Sequence, residues 1–156
     1  WKKPPYGTYK AGNEMYSGMK LGAAWAPHWS GPYERITDKP LFEDGGEVED
    51  PFIWGTDTGY AMIAKDFNGI YTGNIGDGVY ATSADGVKWN VRTEPAFTRD
   101  ILWDDGTVRK MGNMDRPFLL IDENRKATHL FVATDDGTDV DFKTMNRAWN
   151  ACIPLT

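Results

Sequence analysis

One short pattern occurs twice in the chain and constrains its fold more than any other feature. The first copy is Glu47-Val48-Glu49-Asp50-Pro51-Phe52-Ile53-Trp54, and the second, about 65 residues further on, is Met114-Asp115-Arg116-Pro117-Phe118-Leu119-Leu120. In each copy an acidic residue comes shortly before a proline, an apolar strand-forming segment follows, and a turn and a second strand come next. This repetition indicates a repeated β architecture with acidic residues gathered at one end.

Short strands separated by turn residues account for most of the chain. About ten strands are predicted, at residues 20–26, 52–54, 60–64, 78–83, 88–91, 101–103, 107–111, 117–121, 128–134 and 149–155, with an edge-type strand after the turn at residues 30–32. Only residues 142–147 are compatible with a helical turn. The pattern predicts an all-β fold, either a sandwich, a barrel or a propeller, and the internal repeat favours the propeller.

The predicted organisation is an irregular N-terminal segment at residues 1–18 and β-propeller blades at residues 19–156. A complete propeller needs at least about four blades, whereas these strands make about two blades plus flanking strands. Open sheet faces and edges promote association. We therefore predict that the chain is either a homo-oligomer or part of a longer chain.

Composition excludes some classes of partner. The net charge is -6 and no run of lysine or arginine occurs, which argues against nucleic acid. No apolar run reaches membrane-spanning length, so no membrane partner is predicted. No signal peptide is visible. The sequence does not identify the compartment, and a periplasmic or secreted location stays open. The single Cys152 is predicted to be a small buried hydrophobe.

The aromatic residues allow two interpretations. They make up 13% of the chain, with seven tryptophans. Aromatic rings are frequent where sugars or bases stack, and tryptophan and tyrosine are also good strand residues. Both interpretations stay open.

Several short motifs occur in a fixed order between residues 19 and 156. In chain order they are residues 20–26 with Gly31-Pro32-Tyr33-Glu34-Arg35, residues 49–54 with Gly59-Tyr60, residues 81–89, Asp115-Arg116-Pro117 and residues 128–134. Together they resemble the C-terminal half of five-bladed β-propeller glycoside hydrolases of the family 43 and family 117 type. The resemblance implies a partial five-bladed propeller and a carbohydrate partner.

The resemblance also implies catalytic roles. In those families a base, a pKa modulator directly before a proline and an acid two residues before a proline face the central channel. By position, Asp50 matches the modulator and Asp115 matches the acid, although the acid is normally the longer glutamate. The base has no counterpart in this chain. Glycosidic cleavage needs one carboxylic acid and one carboxylate, and a neighbouring carboxylate raises the pKa of the acid.

Five further residues are candidates for substrate binding, each with a structural alternative. Trp54 is either a sugar platform or a core residue, and Lys65 and Asp66 either line a cleft or form a solvated pair. Arg116 either binds a sugar or pairs with Asp115. His129 is either a ligand-binding residue or a structural hydrogen-bonding group.

Two acidic features are predicted to be structural. Glu49 would point away from Asp50 in a regular strand and would be solvated or paired with an arginine. Ser83-Ala84-Asp85-Gly86-Val87-Lys88-Trp89 resembles the Asp-box hairpin of sialidases, which stabilises the fold. No metal site or other cofactor is predicted, because the Asp-Asp-Gly turns lack the further ligands of a calcium loop and no His/Cys cluster occurs.

These observations lead to two functional hypotheses. The first is a glycoside-hydrolase-like β-propeller domain that hydrolyses polysaccharide or oligosaccharide when completed by further blades. The second is a partial propeller without catalysis that binds carbohydrate or associates with itself.

Overall fold

The computed structural model describes residues 20–42, 45–140 and 142–155, and the regular elements within them are all β-strands. In chain order they are β1 (Ala24–Trp25), β2 (Glu34–Arg35), β3 (Val48–Thr56), β4 (Gly59–Asp66), β5 (Gly78–Ser83), β6 (Asn90–Val91), β7 (Asp100–Leu102), β8 (Val108–Lys110), β9 (Met114–Ile121), β10 (Ala127–Asp135) and β11 (Ala148–Pro154). The all-β prediction is confirmed for these residues. The irregular segment predicted at residues 1–18 lies outside them.

The strands form four antiparallel sheets. β3, β4, β5 and β6 make a four-stranded sheet in that order, and β10 lies between β9 and β11 in a three-stranded sheet. The hairpins β1–β2 and β7–β8 form the two remaining sheets. The described residues contain no sheet that closes on itself, so a propeller stays a prediction.

The two repeated units share one irregularity at their prolines. Asp50 has a φ of 53° and Arg116 has a φ of 52°, and each directly precedes a proline. The strand pairing shifts beside both, between Glu49 and Phe52 on β3 and opposite Arg116 on β9. These β-bulges overturn the regular alternation predicted for Glu49 and Asp50, because an inserted residue reorients the side chains next to it. As a result Glu49 and Asp115 occupy equivalent places, two residues before each proline.

The register identifies further equivalent positions in the two units. Glu49 pairs with Lys65 on β4, and Asp115 pairs with Ala133 on β10. Lys65 and Ala133 are therefore equivalent. The repeat is similar in backbone but differs in charge at this position.

Two apolar clusters hold the sheets. In the first, Ile63 of the four-stranded sheet is grouped with side chains of the three-stranded sheet and of the β7–β8 region; its buried members are Ile63, Ile101, Met111, Met114, Leu119, Leu130 and Val132. In the second, the opposite face of the four-stranded sheet is covered by the preceding segment; its buried members are Phe42, Val48, Met62, Ala64, Val79 and Ala81. Successive residues of β4 thus serve opposite faces, as strand geometry requires.

The hairpin at residues 83–89 has the bonding of a local structural motif. Ser83 Oγ accepts a hydrogen bond from the N–H of Gly86 at 2.8 Å. Asp85 Oδ1 accepts bonds from the N–H groups of Val87 and Lys88 at 2.9 and 2.8 Å. Trp89 Nε1–H closes the turn on the Gly86 carbonyl at 3.1 Å. These side-chain hydrogen bonds all lie within the hairpin, which fits the structural role expected for it.

Cys152 is exposed, which corrects the prediction of a buried thiol. It lies on β11, an edge strand whose residues alternate between exposed and partly buried. Cys152 falls on the exposed side of that alternation. Hydrophobic character alone does not decide which face of an edge strand a residue occupies.

Residues 142–147 form turns rather than a helical turn. Asp136 Oδ1 accepts hydrogen bonds from the N–H groups of Asn146 and Arg147, each at 2.8 Å. Thr144 Oγ1 accepts one from the N–H of Thr138 at 2.9 Å. Side-chain acceptors of this kind compete with helical hydrogen bonds and favour turns.

Candidate functional site

A buried lysine lies where the two repeated units meet. Lys65 is 3% exposed, and its Nζ is 2.5 Å from Asp115 Oδ1, 3.3 Å from Glu49 Oε1 and 3.4 Å from Asn113 Oδ1. An ammonium group has three N–H donors, and three oxygen atoms surround this one. We call Glu49, Lys65, Asn113 and Asp115 the lysine cluster.

The fold explains why these residues meet. Glu49 and Lys65 are cross-strand partners on β3 and β4. β9 lies against both strands and brings Asp115 and the adjoining Asn113 to the same point from the second sheet. The two bulges turn Glu49 and Asp115 toward the lysine. The site therefore depends on the packing of one repeated unit against the other.

The two bulges are also joined directly. The backbone N–H of Arg116 donates a hydrogen bond to Asp50 Oδ2 at 3.3 Å. The arginine side chain is exposed, and the ion pair of Asp115 is with Lys65 rather than with Arg116. The carboxyl groups of Glu49 and Asp115 thus contact one buried cation, and that of Asp50 joins the two bulges beside them.

The surroundings of Glu49 shift the pKa of its carboxyl group upward. Burial raises its pKa from the ordinary 4.5, and the nearby carboxylates of Asp50 and Asp115 raise it further, while Lys65 acts in the opposite direction. The net effect is a raised pKa. A raised pKa is what a general acid needs in order to be protonated near neutrality.

The carboxyl groups of Glu49 and Asp115 are close together. Their oxygen atoms Oε1 and Oδ1 lie at most 5.8 Å apart, because Lys65 Nζ is 3.3 Å from one and 2.5 Å from the other. Inverting glycosidases separate their two carboxyl groups by about 6.5–9.5 Å, and retaining ones by about 5–5.5 Å. An oxygen–oxygen limit of 5.8 Å admits the retaining separation.

Asp66 has a structural role that sequence reasoning missed. It is fully buried, and its carboxylate accepts hydrogen bonds from the N–H groups of Gly69, Tyr71 and Thr72, each at 2.9 Å, and from Thr72 Oγ1 at 3.0 Å. The solvated Lys65–Asp66 pair is not what the structure contains. Both side chains are buried, and adjacent strand residues point to opposite sides.

Trp54 and His129 lie away from the lysine cluster. Trp54 is partly buried in a cleft of about 470 Å³, and its ring centroid is 6.1 Å from that of Tyr80. His129 is four residues from Ala133, the cross-strand partner of Asp115, or roughly 13 Å along β10. Its Nδ1 contacts Thr128 Oγ1 at 3.1 Å. The structure therefore does not bring either residue into the cluster.

Glu49 and Asn113 are the members of the cluster that sequence reasoning missed. Aligning the two repeated units on their prolines would have found Glu49, since it then matches Asp115. No comparable signal marks Asn113, which precedes β9 and becomes important only through its buried contacts.

The described part of the chain has neither a metal-binding cluster nor a helix that could cross a membrane. Residues 20–42, 45–140 and 142–155 contain no group of three or more His, Cys, Asp or Glu side chains placed to hold a metal ion. The carboxylates that do converge surround the ammonium of Lys65. No helix in the described part of the chain is long and apolar enough to cross a membrane.

Comparison with known proteins assigns the chain to no family. No family model, no curated protein and no solved structure matches the chain.

Glu49 is expected to make stability depend on pH with a definite sign. Since its pKa is raised above 4.5 in the folded state, the folded protein binds this proton more tightly than the unfolded chain. The contribution is present below about pH 4.5 and is lost as the pH rises through the raised pKa. The free energy of unfolding of the wild type minus that of Glu49→Gln, measured by urea denaturation, should therefore fall as the pH rises above about 4.5.

Asp85 supplies a control of opposite sign. Hydrogen bonds from the N–H groups of Lys88 and Val87 lower its pKa below 3.8, so its contribution is present above that value and is lost as the pH falls through the lowered pKa. The difference between wild type and Asp85→Asn should shrink toward acid pH. Equal slopes for the two variants would contradict the assignment of Glu49.

Proposed function

We propose that the lysine cluster is the active site of a glycoside-hydrolase-like domain. One observation carries the proposal: two carboxyl groups, at equivalent points of two repeated strands, contact the same buried ammonium. Hydrolysis of a glycosidic bond needs a protonated carboxylic acid and a second, ionised carboxylate. The resemblance in sequence supports the same chemistry.

In this proposal Glu49 is the general acid and Asp115 is the second carboxylate. Glu49 protonates the leaving oxygen and takes a proton back from water in the second half of the reaction. Asp115, paired with the Lys65 ammonium, faces the positive charge that develops on the sugar ring. The mechanism proposed is the retaining one, in which the second carboxylate attacks the anomeric carbon. The acid assigned from the motif alone, Asp115, thus takes a different role.

Asp50 keeps the role of modulator in this proposal. Its charge raises the pKa of Glu49. Its own carboxylate is held by the N–H of Arg116, so it does not need to touch the substrate. A charge placed beside the acid in this way favours the protonated form of that acid.

The proposed architecture is a partial β-propeller. The four-stranded sheet and the three-stranded sheet are interpreted as two successive blades, because their inner strands β3 and β9 carry the repeated bulge. Further blades would complete the channel and the binding surface for a polysaccharide or oligosaccharide.

A panel of aryl glycosides tests the proposal. We expect turnover that Glu49→Gln and Asp115→Asn each reduce by roughly 10²–10⁴-fold, because each removes a carboxyl group used in the transition state. Glu123→Gln, in an exposed turn, is the matched control and should retain wild-type turnover. Turnover that survives in Glu49→Gln, or its absence from the wild type across the panel, would contradict the proposal.

The aromatic cleft favours a second candidate, carbohydrate binding without catalysis. Trp54 and Tyr80 line it together with Arg92, Glu94 and Arg125. Aromatic faces with charged groups at their edges suit sugar rings, and the lysine cluster satisfies its own donors internally. Oligosaccharide binding that persists in Glu49→Gln, is lost in Trp54→Ala and is accompanied by no turnover would support this candidate instead.

A further inference from the structure

A further buried polar residue, Asp135, lies behind Asn113 of the lysine cluster. Asn113 Nδ2 donates a hydrogen bond to Asp135 Oδ2 at 3.0 Å, and Asn113 Oδ1 faces Lys65 Nζ at 3.4 Å. Asn113 and Asp135 are each 1% exposed. We propose that these two residues are positioning residues that hold the Lys65 ammonium against Glu49 and Asp115.

The chemistry of the two side chains fixes the orientation of the amide. An ionised carboxylate only accepts hydrogen bonds, so Asp135 can face only the NH₂ side of Asn113. The amide oxygen must then point the other way, toward the lysine. Asp135 thereby determines which end of Asn113 meets Lys65. Without that carboxylate the amide could rotate and present its NH₂ group to the ammonium.

The surrounding backbone holds Asp135 in place. Its Oδ1 accepts a hydrogen bond from the N–H of Gly137 at 2.8 Å. A Cβ atom at Gly112 would lie 2.1 Å from Asp135 Oδ1, and one at Gly137 would lie 2.7 Å from it. Two glycines thus leave the space that the carboxylate occupies, and any side chain at either position would displace it.

The backbone of Asn113 is anchored as well. Its carbonyl accepts a hydrogen bond from Thr134 Oγ1 at 2.7 Å, and the preceding carbonyl of Gly112 accepts one from Arg99 Nη1 at 3.0 Å. Thr134 is 3% exposed, and the oxygen atoms around Lys65 Nζ belong to Glu49, Asn113 and Asp115. It therefore offers a substitution in the same buried region that leaves both ends of the Asn113 amide intact.

The significance of this inference rests on the proposed function, but its test does not. Lys65 lowers the pKa of Glu49, and Asp50 and Asp115 raise it, so the position of the ammonium is readable in the titration of Glu49. Carbon-13 NMR of the labelled glutamate carboxyl groups follows this titration without substrate. Glu49→Gln assigns the resonance.

We expect Asn113→Ala to raise the titration midpoint of Glu49 by about half a pH unit or more, because a released ammonium spends less time near the carboxyl group. Asp135→Asn, which keeps the volume but places an NH₂ group against the donors of Asn113 or Gly137, should shift the midpoint in the same direction. Thr134→Val should shift the midpoint less than either of these variants, because both ends of the Asn113 amide keep their partners. If Asn113→Ala does not fold, the titration midpoint of Glu49 in Asp135→Asn tests the inference.

An unchanged or lowered midpoint in the folded variants would overturn the inference, and so would an equal shift in Thr134→Val. A shifted midpoint in a protein without glycosidase turnover would support the positioning role and contradict the proposed function. Where turnover is found, Asn113→Ala should lower kcat and leave KM nearly unchanged.

Discussion

Replacing Lys65 by methionine is expected to lower the free energy of unfolding by about 3–5 kcal/mol, since removing one partner of a buried ion pair leaves the other charge uncompensated. The lysine is 3% exposed and is the cation that contacts both Glu49 and Asp115. Methionine keeps much of the apolar part of the lysine side chain. The loss of stability therefore measures the effect of removing the positive charge. Urea denaturation at neutral pH measures it.

The dependence of this loss on pH distinguishes a charge effect from a packing effect. Acid protonates the carboxyl groups that the lysine no longer neutralises, so the difference from wild type should shrink as the pH falls. Adding Asp115→Asn to Lys65→Met should recover part of the loss, as expected for coupled residues. Lys110→Met, on the exposed strand β8, is the matched control and should change stability by less than about 0.5 kcal/mol. A loss at Lys65 as small as this would refute the role assigned to its charge.

Replacing Asp66 by alanine is expected to cost about 3–4 kcal/mol of stability, because its buried carboxylate accepts four hydrogen bonds from the loop at residues 69–72. Removing the acceptor leaves three backbone N–H groups of that loop without their partner. The loop should then exchange its amide hydrogens faster than the adjoining strand β4. Hydrogen exchange and urea denaturation together measure both effects.

Asp104→Ala is the control for Asp66, since Asp104 is an exposed aspartate in the β7–β8 turn. Its replacement should leave stability within about 0.5 kcal/mol of wild type. If Asp66→Ala were as stable as this control but had lost affinity for oligosaccharide, the substrate-binding role predicted from the sequence would be correct instead.

Much of the fold could be predicted from turn residues and alternating strand patterns. The predicted strand at residues 78–83 coincides with β5. The strands of the three-stranded sheet, β9, β10 and β11, agree with their predictions to within three residues at either end. β3 begins at Val48, four residues before its predicted start. Pro51 suggested a boundary, but a bulge lets the strand continue past a residue that lacks an N–H donor.

The site was only partly predictable, and the bulges are again the reason. Lys65 and Asp115 were candidates, and the structure brings them together. Glu49 was assigned to the opposite face because strict alternation was assumed across Asp50, whose positive φ breaks it. The contacts of Asn113 and Asp135 depend on two elements 22 residues apart in sequence, which no local pattern reveals.

The difference between Lys65 and Ala133 has a consequence for cooperativity. The second repeated unit carries alanine where the first carries lysine, so a single cation from one sheet neutralises an acid from the other. Either sheet formed alone would lose this ion pair and the apolar cluster between the sheets: Lys65 would keep only Glu49, and Asp115 would have no cation. The two sheets should therefore unfold in a single concerted transition, and either half expressed separately should be poorly structured.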